Sequence, residues 1–142
     1  SKFLIISSLI EGSSIELLPI LNLTLIFNSG IAFSLFDDNG VWGRWVLVGL
    51  VTLVLLYLAR ILIKEKNLSS YESLALTLIL CGGAGNLIDR IFIGHVVDFI
   101  HVFYQEYSFY VFNFADSYIT IGVTLYLIYI LFISEEKEAD AN

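Results

Sequence analysis

Three long stretches of this sequence carry no charged residue, and they constrain the fold more than any other feature. Trp45 to Ala59, Ser73 to Ile88 and Ser117 to Ser134 are almost wholly apolar. A helix needs about 20 mostly apolar residues to cross the hydrocarbon core of a bilayer. With their apolar flanks, these stretches predict spans at about 43–63, 73–89 and 117–134. Arg44 and Arg60 stand where they can snorkel from the ends of the first of these. A fourth stretch, Phe3 to Ile10, is only half a span, and the sequence contains no methionine. It is expected to be a truncated first helix, about 1–10, of a chain whose beginning has been removed. The competing reading is a short buried or interfacial segment.

Composition closes off several classes. Hydrophobic residues make up 58% of the 142 and charged residues 15%, whereas a soluble domain is about half apolar and a quarter charged. The mean hydropathy is +0.85. A disordered tail and an ordinary cytosolic enzyme are both excluded. Seven Lys and Arg against 14 Asp and Glu give a net charge of −7, so no basic footprint exists for a nucleic-acid partner. Cys81 is the lone cysteine, which excludes an internal disulfide and a Cys-rich metal site. Residues 1–142 are read as a single membrane domain, an α-helical integral membrane protein with four transmembrane helices.

Orientation follows from Lys and Arg in the short connections. Arg60, Lys64 and Lys66 lie between the second and third spans, segment 11–42 has no Lys or Arg, and segment 89–116 has only Arg90. Segment 60–72 is therefore expected to face the cytoplasm, with both longer connections on the outer side. These connections carry strand patterns. Leu21, Leu23, Leu25 and Phe27 alternate with Asn22, Thr24, Ile26 and Asn28, just after Pro19. Val96 to Tyr104 and Phe109 to Phe114 are rich in β-branched and aromatic residues. A small outer β-cradle, built from about 14–36 and 92–114, is expected to rest on the membrane interface. Trp42, Trp45, Tyr104, Tyr107 and Tyr110 suit an interfacial belt.

Ionisable groups near a bilayer are expensive and usually functional, and four polar patterns fall on the outer side. Asn28-Ser-Gly-Ile-Ala-Phe33 reads as a turn after a strand. Gly82-Gly-Ala-Gly-Asn-Leu-Ile-Asp-Arg90 suits close helix packing, and Asn86 and Arg90 share a helix face. It is not a phosphate loop, because no Lys-Ser/Thr follows. His95, Asp98 and His101 tempt a metal reading, but neither strand nor helix geometry gathers the three, so no metal site and no cofactor are expected. Phe112-Asn-Phe-Ala-Asp116 precedes the last span, where Asp116 either caps the helix or meets Asp98 across a sheet. Two facing carboxylates cannot both ionise easily, so they share a proton. Such a pair activates water with one member and protonates a carbonyl oxygen or leaving amine with the other.

These four patterns, in this order and between these spans, resemble the type II signal peptidase family, the lipoprotein signal peptidases. The resemblance covers nearly the whole chain. It implies an aspartyl endopeptidase of the bacterial inner membrane with its active site toward the extracytoplasmic side. The implied reaction removes the signal peptide of a prolipoprotein just before a cysteine that carries diacylglyceryl. The implied catalytic aspartates are Asp98 and Asp116, supported by Asn28, Gly30, Asn86, Arg90, Asn113 and Ala115. Asn86 and Asn113 are implied to hold the dyad and the substrate backbone, and Arg90 to pair with Asp89 or a nearby carbonyl. The implied fold is four transmembrane helices with an outer β-cradle and a short interfacial helix, expected near Ala32 to Asp38. Lipidated prolipoprotein and membrane lipids are the implied partners of a monomer.

The family's first helix usually carries Asp-Gln-x-(Ser/Thr)-Lys; here the chain starts at Ser1-Lys2, so only the end of that motif is present. Lys2 is expected to lie within the span and to need an acidic or carbonyl partner. Two other functions compete. One is a small membrane carrier or channel using interfacial carboxylates; the acids cluster at the outer edge and not along a path through the spans. The other is a Ser-Lys peptidase using Lys2, for which Ser7 and Ser8 stand five and six residues away.

Overall fold

The structure, a computed structural model, describes residues 1–30 and 41–133. The elements in chain order are α1 (Lys2–Ser8), β1 (Ser14–Leu18), β2 (Leu21–Asn28), α2 (Val41–Lys64), α3 (Ser70–Phe92), β3 (Val96–Tyr104), β4 (Tyr107–Ser108) and α4 (Phe114–Ile128), which continues as a π-helical turn, Tyr129–Ile133. Three helical segments, Trp42–Lys64, Ser70–Phe92 and Phe114–Phe132, are long and apolar enough to cross a membrane. The half-span expected at about 1–10 is the seven-residue α1. The interfacial helix expected at Ala32 to Asp38 lies outside the described residues.

Local chemistry explains the helix limits. α3 begins three residues before the charge-free stretch, because Ser69 and Glu72 close a capping box. The Ser69 N–H donates to Glu72 Oε2 at 2.8 Å and the Glu72 N–H to Ser69 Oγ at 3.2 Å. At the other end, the N–H groups of Ile93 and Gly94 both donate to the Asp89 carbonyl, and Gly94 turns the chain into β3 with φ of 93°. Arg44 reaches the end of a neighbouring helix. Its Nε donates to the Arg90 carbonyl at 2.7 Å and its Nη2 to the Ile91 carbonyl at 2.6 Å. The last carbonyls of a helix have no partner within it, and a guanidinium has donors to spare. The start of α2 is thereby fastened to the end of α3.

Glycine sets how closely the helices approach. A methyl group on Gly122 would stand 2.7 Å from the Ala75 carbonyl oxygen, and one on Gly82 would collide with the Ala115 carbonyl and the Ile119 side chain. α3 and α4 therefore meet backbone to backbone. Leu55 of α2 fills the space over Gly83, where an added methyl would be 2.6 Å from its Cδ2.

The sheet is antiparallel throughout, in the order β1-β2-β3-β4. β2 has the limits its alternation predicts, and β3 those of its run of β-branched and aromatic residues. Their register pairs Ile26 with Asp98 and Asn28 with Val96, with an irregularity between Leu23 and Ile26. The strand expected at Phe109 to Phe114 is not formed. Residues 107–108 make the short β4, only Phe112 bridges to Ile100, and Phe114 already begins α4. Asn113 caps the helix there, so the apolar run that looks like a strand is split between a bridge and a first turn.

Candidate active site

Asp98 and Asp116 stand on different kinds of element, and one bridge brings them together. Phe112 exchanges both backbone hydrogen bonds with Ile100, at 3.0 and 2.7 Å, and its carbonyl also accepts from the Phe99 N–H at 3.0 Å. The chain then enters α4 beside β3. Residues 113–116 are carried to the level of Asp98, 15 or more positions earlier in sequence. β3 is buried on both faces at this point: Val96, Val97, Asp98 and Phe99 are all at most 2% exposed.

Asn113, fully buried, is the centre of the cluster. Its side-chain oxygen accepts from the N–H groups of Ala115 and Asp116 at 2.7 and 3.2 Å, which makes it the N-cap of α4. Because the cap fixes the oxygen, the amide nitrogen must face the other way, toward Asp98 Oδ1 at 2.6 Å and Asn86 Oδ1 at 3.2 Å. Its backbone N–H donates to Asp116 Oδ2 at 3.0 Å. Asp116 is thus not the cap that its position suggested; it closes the capping box from the third helical position. Its other oxygen, Oδ1, accepts from Asn86 Nδ2 at 2.7 Å. Both carboxylates therefore bond directly to Asn113.

Asn28 is oriented by the same device. Its oxygen accepts from the Gly30 N–H at 2.9 Å, with Gly30 at φ of 81°, a conformation that favours glycine. Its amide nitrogen is left to donate to Asp98 Oδ2 at 2.9 Å. Ala115 has no polar side chain to offer; its buried methyl and its carbonyl oxygen lie against Gly85 and Gly82.

Lys2 and Asp89 form a second ring around this cluster. The Lys2 ammonium donates to Asn86 Oδ1 at 2.8 Å and to Asp89 Oδ2 at 2.5 Å. Asp89 Oδ2 also accepts from the Val97 N–H at 3.0 Å. Lys2 so finds its acidic partner, and Asp89 is taken by Lys2. Arg90 reaches instead the carbonyl of Asn86, four residues back, at 3.3 Å. Ser7 donates to the Leu4 carbonyl of its own helix at 2.9 Å. Lys2 and Ser7 are therefore bonded to other partners and not to each other. His101 bonds Ser108 Oγ and Thr24 Oγ1, and His95 leans on the Phe27 ring. The family resemblance implied Asn28, Gly30, Asn86, Arg90, Asn113 and Ala115 as support for Asp98 and Asp116. It did not assign Asp89, Lys2 or Arg44 to the holding of that cluster. Arg90 was implied to pair with Asp89 or a nearby carbonyl; it is the carbonyl that it meets, and Asp89 is left for Lys2.

Burial pushes the Asp98 carboxyl above the usual carboxylate range; the amide bonds from Asn28 and Asn113 oppose this, the charge of Asp116 adds to it, and that of Lys2 subtracts. The cluster is open on two sides. A groove of about 260 Å³ reaches down to the buried Asp98 between Phe27, Asn28 and Gly30 on one wall and Tyr110 and Val111 on the other. A second, of about 390 Å³, runs from Asp116 along α4 past Ser117, Thr120 and Ile121. Each carboxylate thus borders a space that an extended chain could occupy.

Comparison with known proteins agrees with this architecture. The family described as Signal peptidase (SPase) II matches residues 1–132. The lipoprotein signal peptidase of Acinetobacter baumannii is 39% identical over 142 residues, which is 100% of this chain and 81% of that protein. That of Pseudoalteromonas translucida is 43% identical over 131 residues, 89% of this chain and 76% of that protein. A bacterial membrane enzyme solved by the in meso method at 1.9 Å resolution superposes with a TM-score of 0.81 at 33% identity, covering 93% of this chain and 83% of the other. The chain belongs to the signal peptidase II family, whose members are aspartic-type membrane proteases.

Proposed function

We propose that the protein is an aspartyl endopeptidase that removes the signal peptide from prolipoproteins, cutting before a cysteine that carries diacylglyceryl. The observation that carries this reading is the bonding of two acidic side chains to a single asparagine, Asp98 to the side-chain amide of Asn113 and Asp116 to its backbone N–H. Asp98 holds the proton of the pair, as its buried carboxyl favours, and Asp116 acts as the base. Water attacks the scissile carbonyl carbon as Asp116 takes its proton and Asp98 gives one to the carbonyl oxygen. The tetrahedral intermediate collapses when the proton on Asp116 passes to the leaving amine, the C–N bond breaks, and one hydroxyl of the intermediate returns its proton to Asp98, which restores the pair. Asn28, Asn86 and Asn113 hold both carboxylates through this cycle, so little reorganisation is needed at the transition state.

The same reading assigns the membrane geometry. α1 is part of a first span, and with α2, α3 and α4 it makes four. Arg60, Lys64 and Lys66 put the α2–α3 connection in the cytoplasm. The sheet and the dyad then lie at the extracytoplasmic face of the inner membrane, as a cradle at the interface of one monomeric domain. The open groove along α4 lets the signal-peptide side approach through lipid, while the sheet-side groove takes the polar backbone.

The test is Asp98→Asn and Asp116→Asn, assayed on a prolipoprotein peptide with an S-diacylglyceryl cysteine. Each variant is expected to fold, with unchanged detergent-solubilised elution and helical circular dichroism, and to lose turnover. Full turnover by either one overturns the mechanism.

A further inference from the structure

We propose that Lys2 is a positioning residue for the dyad: its ammonium fixes Asn86, which donates to Asp116, and Asp89, which anchors the backbone beside Asp98. This inference rests on the dyad reading above and adds a residue to it.

Three observations carry it. Lys2 Nζ reaches Asn86 Oδ1 at 2.8 Å, so the Asn86 nitrogen is turned toward Asp116 Oδ1, at 2.7 Å. An asparagine amide has two ends of similar shape, and only its partners decide which end faces a carboxylate. Here the oxygen end is held by the ammonium at 2.8 Å and by the Asn113 amide nitrogen at 3.2 Å, and the ammonium, the nearer and charged donor, polarises the N–H that Asp116 receives. Lys2 Nζ also pairs with Asp89 Oδ2 at 2.5 Å, and that oxygen accepts the Val97 N–H at 3.0 Å. Val97 immediately precedes Asp98, so this bond fixes the strand at the point where the carboxylate leaves it. Finally, the charge of Lys2 is among the groups that act on the Asp98 carboxyl, favouring its ionised form.

Lys2 touches neither carboxylate of the dyad, and its action runs through the two α3 side chains. The charged groups around the pair come from four elements: Lys2 on α1, Asp89 and Arg90 on α3, Asp98 itself on β3 and Asp116 on α4. Arg90 adds positive charge that remains when Lys2 is changed. Asp89 opposes it. Loss of the ammonium makes both ionisations of the pair harder, so both limbs of the pH–rate profile move to higher pH.

The experiment compares Lys2→Gln, Lys2→Arg and Asp116→Asn in the full chain, on the S-diacylglyceryl peptide, across pH. Lys2→Gln is expected to lower kcat by about tenfold or more with KM within about twofold of the wild type. Its acid limb is expected to rise by about half a pH unit or more. Lys2→Arg, which keeps the charge, is expected to return the limb to its wild-type position. Wild-type kcat and an unmoved limb in Lys2→Gln overturn the proposal, and so does a fall in kcat with the limb unmoved, which is the mark of a merely structural contact. Should Lys2→Gln fail to fold, Asp89→Asn carries the test, because it frees the ammonium to act on Asn86 and must move the acid limb down; an unmoved or raised limb overturns the proposal. Asp116→Asn separates the two levels. If it is inactive while Lys2→Gln is normal, only the role of Lys2 falls; if it is active, the dyad reading falls.

Discussion

α2 and α3 are both long enough to cross a bilayer, yet they use their surfaces in opposite ways. α2 is the more apolar, and 6% of its most apolar stretch is buried inside the protein; for α3 the share is 33%. In water this order would be reversed. Lipid is as apolar as leucine, so side-chain hydrophobicity does not drive one helix against another. What turns α3 inward is its glycines, which allow backbone contact, and its polar residues, which find partners only within the protein. In this chain the apolar surface faces out, and the less apolar helix supplies Asn86 and Asp89 to the polar cluster.

The largest effect should therefore come from the seam and not from the most hydrophobic helix. Gly82→Leu is expected to prevent α3 and α4 from meeting, because even a methyl at Gly82 collides with the Ala115 carbonyl, which is rigid backbone. The protein should fail to elute as a single detergent-solubilised species and show no turnover. Gly122→Ala is the graded version. Its methyl would stand 2.7 Å from the Ala75 carbonyl, and it should destabilise by about 1–3 kcal/mol. A seam that accepts leucine at Gly82 without loss would break the contrast between the two helices.

Next in size is the polar cluster that α3 faces. Asn113 does two jobs with the two ends of one amide: it caps α4 and donates to Asp98. Asn113→Ser keeps a good cap but loses the donor. It should hold melting temperature within a few degrees of the wild type and lower kcat by about 10²-fold, through a misplaced and under-bonded Asp98. Asn113→Ala loses both, with about 0.5–2 kcal/mol of stability for the cap alone. Equal losses of activity and stability in the serine variant would mean that Asn113 serves only the helix.

Much of this was legible in the sequence, for reasons that differ by element. The spans were readable because charge is excluded from hydrocarbon, β2 because period-two alternation is local, and β3 because β-branched and aromatic residues suit a strand. Where a long-range partner decides the outcome, local pattern fell short. Phe109 to Phe114 has strand-like residues, but the strand ends where Asn113 finds α4 to cap. Arg44 looked like a snorkelling end residue, although the carbonyls it satisfies belong to residues 90 and 91. Asp89 and Arg90 are adjacent and of opposite charge, yet neighbouring residues on a helix do not face each other, and Asp89 turns to Lys2 instead. The site residues themselves were identified by resemblance. Their spacing alone left Asp116 as a cap and Asn28 as a turn, and both are also true of the structure in part: Asp116 closes a capping box, and Asn28 bonds the Gly30 N–H.

A smaller effect follows from the buried carboxyl. The folded protein holds Asp98 above the usual carboxylate range, so it binds a proton that the unfolded chain releases. Unfolding free energy therefore falls as pH rises from the ordinary carboxylate range through the raised value, and is highest below it. Asp98→Asn removes this slope. Its melting temperature in detergent should exceed that of the wild type by a few degrees at neutral pH, with the gap closing as pH falls. A gap that widens in acid would mean that Asp98 is stabilised as the anion, which would reverse the acid and base roles assigned to the pair.

The smallest effect returns to α2 and is the sharpest test of the contrast. Leu53 is 70% exposed on α2, while Leu55, two residues on, packs over Gly83 of α3. In a soluble core either Leu→Ala change would cost about 2–5 kcal/mol. Leu53 meets lipid whether or not the helices are assembled, so its truncation changes both states alike. Leu53→Ala is expected to stay within about 0.5 kcal/mol of the wild type. Leu55→Ala opens a gap above a glycine that has no side chain to fill it, and should cost measurably more. The two substitutions delete the same atoms from the same helix. A difference between them in detergent unfolding measures packing alone, and equal costs would show that hydrophobicity, not fit, holds α2 in place.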